Sequence, residues 1–181
     1  QLQSQMALVG GDLGYADCAG VVGGDAIRDC AGVCGNVECM VTDIDGNTYE
    51  AIWIGDHLLM AENLKVTHYN DGTEIPYVQS ESYENDVWAN LNSGGYGYYN
   101  DELSKLNTYG NLYNWYTVDN DRGVCPEGFK VPSKENWISI SNYLGGQGGV
   151  MKEAGLEHWT YHSDQIVFEA TNESGFTALP A

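Results

Sequence analysis

A short repeat near the amino terminus constrains the fold of this chain more than any other feature of its sequence. The motif Asp-Cys-Ala-Gly-Val begins at Asp17 and again at Asp29, and Gly-Gly-Asp precedes each copy. A segment so short and so rich in glycine buries too little apolar surface to fold without cross-links or metal ions. The repeat region contains the cysteines Cys18, Cys30, Cys34 and Cys39. Because their spacing lacks the short knuckle that is usual in zinc sites, we expect disulfides.

These disulfides predict where the protein works. Structural disulfides persist in oxidising surroundings, so we expect a secreted, extracellular or cell-surface protein. The chain begins at Gln1 rather than at Met, as a mature chain does after removal of a signal peptide. Its 26 acidic and 7 basic residues give a formal charge of -19, which opposes binding to nucleic acids and to anionic membranes. No apolar run approaches the length that spans a bilayer, so membrane insertion is not expected.

Several aspartates of the repeat region stand among glycines, and they have two interpretations. They are Asp12, Asp17, Asp25 and Asp29. Glycine-rich backbone lets carboxylates and carbonyl oxygens converge on calcium, which is the one cofactor that the sequence suggests. Aspartate side chains also cap turns by accepting hydrogen bonds from the backbone, without a metal. The same choice applies later in the chain to Asp43, Asp45, Asn47 and Glu50. Both interpretations remain open, and no organic cofactor is expected.

Composition divides the chain into an amino-terminal arm at 1–9, the repeat region at 10–39 and a globular domain at 40–181. In the globular domain, runs rich in Val, Thr, Tyr and Ile flank Asp-Gly-Asn, which predicts a hairpin, and the segment HLLMAENL predicts a third strand.

Helix and loop signals follow these strands. Residues 65–99 are rich in Asn, Gly and Ser and are predicted to form mainly surface loops. Helices are predicted at 111–118 and, after Ser133 as N-cap, at 134–144. The fold class is therefore α+β.

Five motifs of the globular domain occur in the order found in a known family. They are DIDGNTYEAIWIGDHLLMAENL, TYGNLYNWYTV, CPEGFKVPSKENW, NYLGG and ESGFTALPA. Over residues 41–181 the chain resembles the Fibrobacter succinogenes major paralogous domain. The resemblance implies a C-type-lectin-like fold, related to the formylglycine-generating enzymes, in a secreted or surface-exposed bacterial protein. The repeat is similar to Asp-Cys-Gly repeats of secreted bacterial proteins.

The chain departs from the family pattern at its carboxyl end. Family members continue past the GF-ALP motif to a terminal strand with a cysteine, whereas this sequence ends at Ala181, so we expect a truncated domain. By resemblance, Cys125 would pair with that cysteine. Three explanations stay open: the sequence is a fragment, Cys125 pairs with an amino-terminal cysteine, or another chain completes the domain.

No arrangement of residues predicts catalysis. Ser163 and Asp164 follow His162, but neighbours on an extended chain point to opposite faces, so triad geometry is not implied. His158 and His162 would lie about 13 Å apart on a strand, too far apart to share a metal. The cysteines that formylglycine-generating enzymes use belong to the part of the domain that this sequence lacks. We therefore expect that the protein is not an enzyme, and an oxidase or a hydrolase is the least favoured class.

The leading prediction is a non-catalytic structural or adhesive module, as a subunit of an extracellular or cell-surface filament. Its partner would be a second copy of the chain or another surface protein. The apolar stretch Met6, Ala7, Leu8 and Val9 would then add as a strand to a neighbouring subunit.

The alternative prediction is a glycan-binding, lectin-like module. Aromatic rings beside Asn and Asp side chains can stack on sugars while the polar groups bind hydroxyls. The candidate tyrosines are Tyr96, Tyr98, Tyr99 and Tyr109. The tryptophans are assigned to the core instead; they are Trp53, Trp88, Trp115, Trp137 and Trp159.

Overall fold

The structure, a computed structural model, divides into two compact units. It describes residues 18–21, 26–35, 38–79, 87–155, 157–159 and 170–180. The first unit comprises residues 1–40, 50–61 and 132–180, and the second comprises residues 41–49, 62–131 and 181.

The described chain contains short strands and short helices, which confirms the predicted mixture of α and β structure. The strands are β1 (Ile27–Arg28), β2 (Cys34–Gly35), β3 (Cys39–Thr42), β4 (Thr48–Ile54), β5 (His57–Met60), β6 (Tyr96–Tyr98) and β7 (Asn111–Tyr113). The helices are α1 (Val87–Asn90), α2 (Leu106–Tyr109), α3 (Trp115–Val118) and α4 (Lys134–Tyr143). The strands form small sheets in the orders β1-β2, β3-β4-β5 and β6-β7. No helix in the described ranges has the length and apolarity needed to cross a membrane.

The repeat region of the first unit is held by the predicted disulfides. Cys18 pairs with Cys34, and Cys30 pairs with Cys39, so the two bridges overlap along the chain. The turn between β1 and β2 also contacts β4, because the Trp53 indole donates a hydrogen bond of 2.9 Å to the carbonyl of Asp29. The second copy of the repeat is therefore packed against a strand of its own unit.

The core of the first unit lies between the β4-β5 hairpin and helix α4. The two strands are antiparallel, with Ile54 opposite His57 and Ala51 opposite Met60. Their buried residues Ile54 and Leu59 pack with Ile140 of α4. The predicted helix is confirmed at Lys134–Tyr143, and the Ser133 side chain caps its first turn.

The core of the second unit is built largely from tyrosine and valine. Its buried members are Val66, Tyr69, Ile75, Tyr96 and Val124. Most of them come from residues 65–99, where the sequence predicts mainly surface loops, and this segment also forms α1 and β6. That prediction is wrong for these residues. The segment is polar overall, but it contains single apolar and aromatic side chains that are buried, and their spacing follows neither a helical nor a strand period.

The predicted helix at 111–118 is only half correct. Residues Asn111–Tyr113 form strand β7, antiparallel to β6, and the helix begins at Trp115. The Asn114 side chain accepts a hydrogen bond from the Thr117 amide and so acts as the N-cap. A helix capped at this position cannot include the residues before it.

Candidate functional site

The carboxylate of Asp29 organises the turn that joins β1 to β2. Its Oδ1 atom accepts hydrogen bonds from the amides of Ala31 and Val33, each at 2.9 Å. The Asp29 backbone also pairs with Val33 at 3.0 Å and accepts from Gly32 at 2.9 Å. Turn capping therefore describes the geometry at this aspartate. The other calcium candidates lie outside the described residues, as does the proposed donor strand; they are Asp12, Asp17 and Asp25, and Met6, Ala7, Leu8 and Val9.

The buried carboxylate of Asp43 organises the turn between β3 and β4 in the same way. Its Oδ1 atom accepts from the amides of Asp45 at 3.0 Å and Asn47 at 2.9 Å. Its Oδ2 atom accepts from the Asn47 side chain at 2.9 Å and from the Tyr49 hydroxyl at 2.5 Å. Burial and the neighbouring Asp43 carboxylate raise the pKa of Tyr49, which keeps this hydroxyl a donor. A hairpin turn accounts for the aspartate here, because both carboxylate oxygens are occupied by donors of the protein.

A second carboxylate of this turn, Asp45, holds a histidine. Its Oδ1 atom lies 2.6 Å from Nδ1 of His68, and its Oδ2 atom accepts from the amide and hydroxyl of Thr67 at 2.5 Å and 2.8 Å. Burial would raise the pKa of Asp45, but the Thr67 and His68 hydrogen bonds outweigh it and lower the pKa. Because Nδ1 of His68 must donate to the carboxylate, the ring orientation is fixed. The cluster fastens residues 67 and 68 to the turn.

Two carboxylates and an imidazole also meet in the first unit. Ligand atoms of Glu153, Glu157 and His158 all lie within 4.8 Å of one another. Nδ1 of His158 is 2.7 Å from a Glu153 oxygen, and Glu157 is exposed. Such side chains bind zinc and other transition metals, but a hydrogen bond by itself explains why His158 approaches Glu153. The prediction from the sequence concerns His158 with His162, and His162 lies outside the described residues.

The candidate sugar-binding tyrosines contact one another. Tyr96 and Tyr98 lie in β6, where Tyr96 is 9% exposed and the Tyr98 ring is 5.1 Å from that of Tyr77. Burial raises the pKa of Tyr96 to about 12. The rings of Tyr99 and Tyr109 stack on each other at 4.5 Å, with an angle of 21° between their planes. Tyr96 is therefore a core residue rather than the predicted loop platform, because its strand brings it under the other tyrosines.

The most exposed aromatic side chain that the structure describes in the second unit is one assigned to the core from the sequence. Trp115 is 68% exposed, and Tyr116 and Leu112 are 48% and 45% exposed. Thr117 is fully buried, and its hydroxyl binds the Gly95 carbonyl at 3.0 Å. Residues two apart on a helix do not share a face, so the burial of Thr117 leaves Trp115 facing outward. We call Leu112, Trp115 and Tyr116 the 112–116 surface; the cap at Asn114 is the sequence signal that could have revealed it.

Trp137 is a second departure from the predicted core. It is 40% exposed on α4, although its ring contacts Phe176 edge-on with centroids 6.1 Å apart. A helix of mixed character leaves part of this large ring at the surface while its other edge packs.

Cys125 carries a free thiol in the structure, which bears on only one of the three explanations, its pairing with an amino-terminal cysteine. The amino-terminal cysteines pair with each other, so none of them remains for Cys125. The side chain packs against the core around Val66, and burial raises the pKa of the thiol. A thiol with a raised pKa is a weak nucleophile at neutral pH.

Comparison with known proteins gives one match. A family model, the Fibrobacter succinogenes major domain, matches residues 52–181, so its match begins within β4 rather than at residue 41. Neither the curated proteins nor the solved structures gave a match.

Proposed function

This chain belongs to the Fibrobacter succinogenes major domain family, and on that premise we propose that it is a secreted, non-catalytic module that attaches to another macromolecule. In this proposal it is a structural or adhesive component of an extracellular or cell-surface assembly. Its globular domain has the C-type-lectin-like fold that the family resemblance implies.

The two disulfides support the proposed location. Both close within the short repeat region, where they replace the apolar core that such a segment lacks. Bridges of this kind persist in oxidising surroundings and are rare in the cytosol.

The exposure of Trp115 is the observation that supports attachment. Trp and Tyr are the residues that most often dominate the binding energy of protein interfaces. A tryptophan that is 68% exposed, with exposed Tyr116 and Leu112 nearby in the chain, is costly to leave in water and is typical of a binding surface. The 112–116 surface is therefore the proposed attachment site.

The polar clusters of the two turns have a structural explanation. The carboxylates of Asp29, Asp43 and Asp45 accept hydrogen bonds from their own turns and neighbours. These contacts explain the side chains as elements of structure, and no step of a reaction has to be assigned to them.

Glycan binding is a second candidate, and the position of Trp115 favours it too. An exposed indole at the beginning of a helix offers a flat face on which a sugar ring can stack. A glycan array separates the two functions. Binding that Trp115→Ala abolishes would make sugar the partner, whereas an array without binding would leave protein attachment as the function.

Bead attachment tests the main proposal. Beads coated with the protein are mixed with one another and with beads that display basic, neutral or acidic proteins. We expect attachment to at least one of these surfaces, lost in Trp115→Ala and retained in Leu103→Ala. Leu103 is the matched control because it is 62% exposed in the same unit but lies outside the 112–116 surface. A protein that attaches to none of the beads would contradict the adhesive function.

A further inference from the structure

We infer that the 112–116 surface binds a basic protein partner, with lysine or arginine side chains around an apolar contact, rather than a second copy of this chain. The inference rests on the proposed function, because it names the partner of the same surface.

The charge of the chain opposes contact between copies. With 26 acidic and 7 basic residues, each molecule has a formal charge of -19. Two such molecules repel each other over the screening length, while the same field attracts a cationic partner and accelerates its association. Charge complementarity therefore selects a basic surface and disfavours self-association.

Acidic side chains also stand next to the surface in the chain. Asp119 follows Trp115 by one helical turn, and its amide donates to the Trp115 carbonyl at 2.8 Å. Asp119 and Asp121 are both exposed. A carboxylate at a helix C-terminus gains nothing from the helix dipole, so helix stability does not explain Asp119.

The nearest basic residue in the chain, Arg122, is occupied elsewhere. Its guanidinium lies 4.6 Å from the centre of the Tyr69 ring, and its Nε atom donates to Asn120 at 3.1 Å. Arg122 therefore leaves the carboxylates of Asp119 and Asp121 available to a partner.

An exposed indole suits a cationic partner directly. Tryptophan is the strongest of the aromatic residues in cation–π contacts, and an ammonium or guanidinium group over its face gains further from a nearby carboxylate. The same contact occurs inside the first unit, where the Lys152 ammonium lies 4.4 Å from the centre of the Trp159 ring. A lysine or arginine of a partner would repeat this contact at Trp115.

Two synthetic peptides test the inference. They share the same leucines, and one has lysine and arginine where the other has glutamate and aspartate. Fluorescence anisotropy of labelled peptide measures their binding to the intact chain. We expect the basic peptide alone to bind, Trp115→Ala to weaken it about tenfold or more, and Leu103→Ala to leave it unchanged. The double variant D119N/D121N should weaken binding about two- to fivefold at low salt, with little effect at high salt.

The outcomes separate this inference from the proposed function. Equal binding of both peptides, or unchanged binding to Trp115→Ala, would overturn the basic partner. Sedimentation velocity that shows self-association lost in Trp115→Ala would also overturn it, while supporting attachment as the function. If neither peptide binds and the beads attach to nothing, both proposals fail.

Discussion

The turns at Asp29 and Asp43 have the same hydrogen bonds but different surroundings. Each joins two antiparallel strands, its aspartate Oδ1 accepts two amides, and a glycine with positive φ stands three residues after the aspartate. The Asp29 turn is largely exposed and lies within two disulfides, whereas Asp43 is 6% exposed and also binds the buried Tyr49. The same arrangement of aspartate and glycine is thus stabilised by disulfides in the Asp29 turn and by burial in the Asp43 turn.

A third turn shows which part of this arrangement depends on the backbone alone. Tyr69 and Thr73 enclose a connection with the same backbone pairing, and Gly72 has a φ of 82°. No aspartate stands at its first position; Tyr69 is buried in the core instead. The glycine determines the shape of the turn, and the first residue determines what anchors it.

Removal of the Asp43 carboxylate should have the largest effect. Asp43→Ala removes the acceptor of the buried Tyr49 hydroxyl and of the partly buried amides of Asp45 and Asn47. We expect the free energy of unfolding to fall by about 4 kcal/mol, measured by urea denaturation. Asp43→Asn, which keeps an acceptor oxygen, is the control and should cost less. A loss no larger than that of Asp29→Ala would show that burial does not distinguish the two turns.

Removal of a disulfide should come next. With Cys30 and Cys39 replaced by serine, the unfolded chain regains the entropy of a short loop, worth about 3 kcal/mol. Hydrogen exchange should increase at Val33 in the Asp29 turn and stay unchanged at Asn47 in the Asp43 turn. Wild-type protein treated with a thiol reductant is the matched control. Faster exchange at both turns would mean that the disulfides also support the buried one.

Asp29→Ala should cost about 1 kcal/mol in urea denaturation, because water replaces the lost contacts of an exposed turn that the disulfides still close. The same substitution combined with serine at Cys30 and Cys39 sharpens the comparison. In the variant without this disulfide, Asp29→Ala should lower the free energy of unfolding by more than it does in the oxidised protein, since the Asp29 carboxylate then stabilises the turn without the Cys30–Cys39 bridge. Equal costs in both backgrounds would show that the two supports are independent.

Local sequence patterns predicted the elements that depend on neighbouring residues. The β3-β4 hairpin, helix α4 with its Ser133 cap and the disulfides of the repeat region are all present, and strand β5 covers the first half of the predicted HLLMAENL segment. Each depends on contacts between near neighbours in sequence. The equivalence of the Asp29 and Asp43 turns could also have been read directly, since both place aspartate and glycine three residues apart.

The errors concern which side chains are buried, which depends on contacts distant in sequence. Tyr96 lies in β6 and is buried because β7 pairs with that strand, and no local sequence pattern shows this pairing. The size and apolarity of Trp115 predict a core position, but the helix is four residues long and Thr117 occupies its inward face. The histidine spacing does not include Glu153 and Glu157, so it does not predict their cluster with His158.

Asp45 provides the smallest test, because the repeat has Ala31 at the equivalent position. The pKa of Asp45 is lowered in the folded protein, so its contribution is present above its unfolded pKa and is lost as the pH falls through the folded value. We expect a loss of less than about 1 kcal/mol as the pH falls below about 4, since solvent screens the interactions of this exposed turn. Urea denaturation as a function of pH measures this loss.

Two variants are the controls. Asp45→Asn should lower stability at neutral pH and flatten this part of the profile, whereas Ala31→Asp, which lacks partners equivalent to Thr67 and His68, should add no comparable pH dependence. If Ala31→Asp steepens the acid loss as much as Asp45 does, the turn itself, and not the histidine and threonine that it holds, lowers the pKa of this carboxyl.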